Sequence, residues 1–152
     1  MVERGDMLAL HEPFWNLLGF GETDVDGRTF EAPASLLAWL RDETYDVNVF
    51  LKDTSDHRYG EVLVDRRFLA EARHAFLIRR PEEIAASYYA LWPDMRIDEV
   101  GLEALHELHA AVLHAGHPPV VIESDALVAR PEATTAAYCA AVELPVIPRA
   151  PT

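Results

Sequence analysis

The chain has little with which to staple itself or to reach a membrane. One cysteine in 152 residues, Cys139, excludes an intramolecular disulfide and a cysteine-held structural zinc. No apolar run approaches the length of a membrane span, and the opening MVERGDMLAL lacks the charged-then-apolar layout of a secretory leader. A reducing cytoplasm is the expected setting. Positive charge is scarce as well: 13 Lys and Arg stand against 26 Asp and Glu, a formal net charge of −13. Such a field repels nucleic acid and anionic lipid, so neither is an expected partner. An anion site must therefore be a local basic focus, for which Arg79–Arg80 with Lys52 and Arg58 are the candidates. The sequence has no G-x-x-x-x-G-K-[ST] loop and no internal repeat.

What it does have is apolar material, half of all residues, enough for the core of one domain. Short apolar runs at Leu8–Leu10, Val47–Leu51, Ala75–Ile78 and Pro119–Ile122 read as strands. Helical patterns fall between them, at Pro33–Glu43 with Leu36, Leu37 and Leu40 inward, and at Glu61–Ala72. Others are at Pro81–Leu91, at Asp98–Ala115 and at Pro131–Val142. Met1–Asp6 reads as a helix tail stopped by Gly5. Thr23–Thr29 reads as a surface loop with a tight turn at Asp26-Gly27, and Leu144–Thr152 as an irregular tail. Alternating strands and helices predict an α/β fold, a three-layer parallel sheet with helices on both faces, in one domain over residues 1–148.

The central stretch is HAFLIRRPEEIAASYYALWPDM, His74–Met95. Ala75–Ile78 has the continuous apolar character of a strand covered on both faces. Arg79 and Arg80 end it, Pro81 suits the first position of a helix, and Glu82 and Glu83 suit its first turn. Ile84, Tyr88 and Leu91 recur at helical spacing as an inward face. Ligands of open α/β sheets bind beyond the carboxyl ends of the strands, which is where Arg79 stands.

Two further groups carry chemistry. Lys52-Asp53-Thr54-Ser55-Asp56-His57-Arg58 follows a strand, and its Lys, Asp and His could supply a base and a cation. It reads equally as a solvated loop that caps the next helix. Glu12 in HEPF ends the first strand, where Pro13 biases it toward an extended backbone. His106 and His109 are spaced i and i+3 rather than the i and i+4 of a zinc helix, and read as a solvated face.

LIRRPEEIAASYYAL resembles the 3′-phosphate segment of the sulfotransferases that use 3′-phosphoadenosine 5′-phosphosulfate. The resemblance implies that Arg79 and Ser87, eight positions apart, bind the 3′-phosphate of that cofactor. Pro81 and Tyr88–Tyr89 fit the pattern, while Arg80 departs from it. It further implies a nucleotide-kinase-like core, sulfuryl transfer to a small hydroxyl-bearing acceptor, and a catalytic role among Glu12, Lys52, Asp53 and His57, with Thr54 standing where many members have histidine. The family's first strand, its Ser/Thr-rich phosphate loop and its C-terminal basic segment have no counterpart, so against the family the chain looks truncated at both ends. A sheet without its inner strand is expected to show a gap, an exposed apolar patch, or a partner chain or second copy covering it. Inactivity in isolation, or a non-catalytic binding module that kept the fold, is the alternative expectation.

Overall fold

A computed structural model describes residues 6–42 and 48–147. In chain order the strands are β1 (Met7–His11), β2 (Thr23–Val25), β3 (Arg28–Phe30), β4 (Asn48–Lys52), β5 (Ala75–Ile78) and β6 (Val120–Glu123). The helices are α1 (Pro13–Phe20), α2 (Pro33–Asp42), α3 (Gly60–Val64), α4 (Arg66–Glu71), α5 (Pro81–Leu91), α6 (Leu102–His114), α7 (Ser124–Ala129) and α8 (Pro131–Ala141), with a 3₁₀ turn at Ile97–Val100. The fold is mixed α/β, as expected, but the described residues form three two-stranded sheets in place of the expected single one. Among the described residues β1 pairs with β4 in parallel, β5 with β6 in parallel, and β2 with β3 as an antiparallel hairpin.

The two parallel pairs have unequal cores. Over β1–β4, Leu36 and Leu37 of α2 are almost fully buried beside Leu10, Phe14, Leu17, Val25 and Trp39. Over β5–β6 the buried set is Leu69, Phe76 and Val112. Leu108 of α6 packs against both groups, so α6 is the beam that joins the two halves. The junction at its start is tight. Gly101 sits at φ 76°, and a Cβ there would lie 2.2 Å from the carbonyl oxygen of Ser55. Only glycine combines that backbone with that approach.

Several local expectations need correcting. The stretch expected as a surface loop is the β2–β3 hairpin; Asp26 (φ 51°) and Gly27 (φ 75°) are both left-handed, the conformation that a two-residue hairpin turn demands. Thr23 and Val25 alternate into the core, so the short strand is amphipathic despite its polar composition. The helix expected over Glu61–Ala72 is broken at Asp65, whose carboxylate accepts from the Phe68 N–H at 3.0 Å and starts α4. β5 is not covered on both faces: Phe76 is buried, but Leu77 is 56% exposed. The inward face expected of α5 is only partly formed, with Ile84 and Tyr88 half-buried. None of its residues is fully buried, and Leu91 is 71% exposed. Periodicity specified the helix but could not specify a surface to receive it. His109 is half-buried rather than fully solvated, its ring edge-on to that of Phe76 with centroids 5.3 Å apart. The expected helix tail at Met1–Asp6 and the end of the C-terminal tail lie largely outside the described residues.

Candidate functional site

The carboxyl ends of the two parallel pairs carry two clusters. At the end of β1–β4, Glu12 adopts a left-handed backbone (φ 53°, ψ 44°) instead of the extended one that Pro13 favours. Its N–H donates to the Lys52 carbonyl at 2.6 Å, its own carbonyl accepts from the Asn16 N–H at 2.9 Å, and its carboxylate binds the Lys52 ammonium. Left-handed backbone at a non-glycine residue persists only where its surroundings hold it, and such strain concentrates at functional sites. Asp53 is half-buried beneath. Its carboxylate accepts from the Phe14 N–H at 2.8 Å, the Thr54 N–H at 3.0 Å and the Tyr59 hydroxyl at 2.9 Å. Burial still holds its pKa above the ordinary carboxylate range, against those three donors. Burial, with Asp53 beside it, likewise pushes the Tyr59 hydroxyl well up. Asp56 accepts from the Trp15 indole N–H at 3.2 Å and stands 3.4 Å from His57 Nδ1.

At the end of β5–β6, Arg79 gives its Nε–H to Glu83 at 3.0 Å, and Arg80 lies between Glu83 and Asp125. The terminal nitrogens of Arg79 have no hydrogen-bond partner among the described residues. Arg79 also lines a cavity of ≈ 240 Å³ with Leu77, Ile78, Ile84, Val100, Leu102 and Leu105, the other polar lining residues being Ser55 and Ser124. Because Ser55 follows β4 and Arg79 follows β5, this crevice lies between the ends of the two parallel pairs, the position open α/β sheets use for ligands.

The structure thus joins Glu12 to Lys52, bonds Asp53 to the Phe14 N–H close by, and sets His57 beside Asp56. Arg79 lies in the other half. Ser87 is exposed on α5 and lines neither this cavity nor the shallower one around Arg80. The sequence offered no signal for Tyr59, Val100 and Leu105 as site residues, since each reads as ordinary core. No group of three or more potential metal ligands occurs among the described residues, and no described helix is long and apolar enough to cross a membrane.

Two curated proteins of Arabidopsis thaliana are similar to this chain. Branched-chain-amino-acid aminotransferase-like protein 2 is 34% identical over 77 residues, 51% of this chain and 14% of that protein. Branched-chain-amino-acid aminotransferase-like protein 1 is 32% identical over 77 residues, with the same shares. No protein-family profile and no solved structure matches. Both relatives are named for aminotransferases, and this overturns the sulfotransferase resemblance drawn from LIRRPEEIAASYYAL. Strand, arginine, proline and helical serine form a short pattern that any βα junction can present, and the phosphosulfate cofactor and sulfuryl transfer lose the argument that introduced them.

Proposed function

We propose that this chain is part of an aminotransferase-like protein and holds a branched-chain 2-oxo or amino acid in the crevice that Arg79 lines. The observation that carries this is the pairing of a mainly aliphatic cavity of ≈ 240 Å³ with one arginine in its lining. A guanidinium with free terminal nitrogens takes a carboxylate through two parallel hydrogen bonds, which orients the acid. The aliphatic walls then take its branched side chain and shed the water around it. The substrate class comes from the names of the relatives, and the shape and polarity of the crevice suit it.

Pyridoxal phosphate, the amino-group carrier of such chemistry, requires a lysine free to form a Schiff base and donors for its phosphate. Lys52 is the single lysine of the chain, and Glu12 holds its ammonium. Asp53 and Asp56 surround that edge with further carboxylate, which repels a phosphate. The residues present do not fit this cofactor, and we place none of the transfer chemistry on Lys52.

Isothermal titration with 4-methyl-2-oxopentanoate, leucine and pyruvate tests the proposal. The branched acid carries three more carbons than pyruvate, about 2.4 kcal/mol if all are buried at ~0.8 kcal/mol each, or roughly 50-fold in affinity. Arg79→Ala should weaken binding of the branched acid at least tenfold. Equal affinity for pyruvate, or no loss in Arg79→Ala, would sink the proposal.

A further inference from the structure

A second cavity, of ≈ 510 Å³, adjoins the crevice. Arg79 and Ser124 line both, so the two meet at those residues. Arg80, Glu83, Asp125 and Ala129 line the second alone, and it is the more open to solvent of the two. Size separates what each can hold. Sites for larger ligands begin at about 300 Å³ and run to about 1,000 Å³. The crevice, at ≈ 240 Å³, falls short of that range and suits a six-carbon acid, whereas the two cavities together lie within it.

Their chemistry differs as well. The crevice is mainly aliphatic, while the second cavity carries both signs of charge, already paired. Glu83 accepts from the Arg79 Nε–H at 3.0 Å and pairs with Arg80, which also stands 3.6 Å from Asp125. The Ser124 hydroxyl has no hydrogen-bond partner among the described residues. Paired charges leave little attraction for a lone ion, but guanidinium and hydroxyl donors beside carboxylate acceptors match a neutral group that both donates and accepts. A peptide bond is such a group. The α-carbon of an amino acid carries three substituents other than hydrogen. With the carboxylate on Arg79 and the branched side chain in the crevice, the nitrogen is the one left to place, and the second cavity is the space next to Arg79.

We infer that the branched acid held in the crevice is the C-terminal residue of a peptide, whose preceding residues lie past Ser124 in the second cavity. The inference rests on the reading of the crevice given above and extends its ligand. The terminal carboxylate on Arg79 sets the orientation, as in other captures of chain ends, and the aliphatic walls select the last side chain. The preceding peptide groups add hydrogen bonds that a free acid cannot make, and the open side of the second cavity lets the rest of the peptide leave to solvent.

Isothermal titration of the 152-residue chain with four ligands tests this: 4-methyl-2-oxopentanoate, N-acetyl-leucine, an N-acetylated glycine–alanine pentapeptide ending in leucine, and the C-terminal amide of that pentapeptide. The pentapeptide should bind at least about tenfold more tightly than N-acetyl-leucine, and amidation should cost it at least about tenfold. Ala129→Trp introduces an indole into the second cavity from an exposed position. It should weaken the pentapeptide about tenfold and leave 4-methyl-2-oxopentanoate unchanged. A pentapeptide no tighter than N-acetyl-leucine, an amide that binds equally, or a pentapeptide affinity that Ala129→Trp leaves unmoved overturns the inference. So does an equal loss of both ligands in that variant. If 4-methyl-2-oxopentanoate still binds in a way that Arg79→Ala weakens, the reading of the crevice survives that failure. Binding of none of the four overturns both.

Discussion

Gly101→Ala should be far more damaging than a glycine-to-alanine change at an equally left-handed position elsewhere. At Gly101, φ is 76° and the new Cβ would lie 2.2 Å from the Ser55 carbonyl oxygen, 2.5 Å from its carbon and 2.7 Å from the Asp56 nitrogen. All three are main-chain atoms, so no side chain can swing aside. Gly27, at φ 75°, has nothing within 4 Å of its would-be Cβ. Left-handed backbone costs a residue with a Cβ about 1–2 kcal/mol, offset by about 0.4–1 kcal/mol of entropy removed from the unfolded chain. Gly27→Ala should therefore cost about 1 kcal/mol or less. Gly101→Ala adds an overpacking cost of about 1–3 kcal/mol, for a total of about 1–4. In a chain of this size each kcal/mol lowers Tm by about 2–4 °C, so a fall of roughly 2–16 °C is expected. Thermal and urea unfolding of wild type, Gly27→Ala and Gly101→Ala would measure it. Because Ser55, Val100 and Leu102 share the crevice wall, affinity for the branched acid should fall in the same variant. If the two variants unfold within about 0.5 kcal/mol of each other, the Gly101–Ser55 contact is not what fixes α6 to the end of β4.

Leu36 is fully buried, and Leu36→Ala should cost about 2–5 kcal/mol in urea unfolding; less than 1 would mean that the larger core closes over the loss. Asp53 has a raised folded pKa, so the native chain keeps that proton at a pH where the unfolded chain has lost it. Its contribution is fully present below the ordinary value of 3.8 and is withdrawn as pH rises through the folded pKa; a stability difference between wild type and Asp53→Ala that does not move over that window would refute it. Glu107 runs the other way. The bidentate Arg58 contact, at 2.6 Å and 2.6 Å, lowers its pKa, so its support is present above 4.5 and lost as pH falls through the folded value. Glu107→Gln should flatten that acid limb, and high salt should shrink the effect because the pair is open to water; an unchanged limb would show the pair to be inert.

The parts of this fold that were legible in the sequence are those whose causes are local. Pro81 with Glu82 and Glu83 marked the start of α5, and Pro131 that of α8. The apolar runs marked β1, β4, β5 and β6 to within about a residue where they are described, because period and composition act within a few positions. What α5 would pack against, and whether Leu77 would be covered, depends on neighbours that no local pattern names. The same limit explains Glu12. Sequence rules put the residue before proline in extended backbone, and it is a set of contacts with Lys52, forty residues away, that holds it left-handed. Arg79 was placed at a strand's carboxyl end by local pattern alone, and that placement stands. Ser87, the partner that resemblance assigned to it, lines neither cavity, whereas Ile84, Val100 and Leu105 share one with the arginine. A short motif is evidence about a junction. The chemistry of a site is decided by which distant residues the fold brings to that junction, and here they are aliphatic.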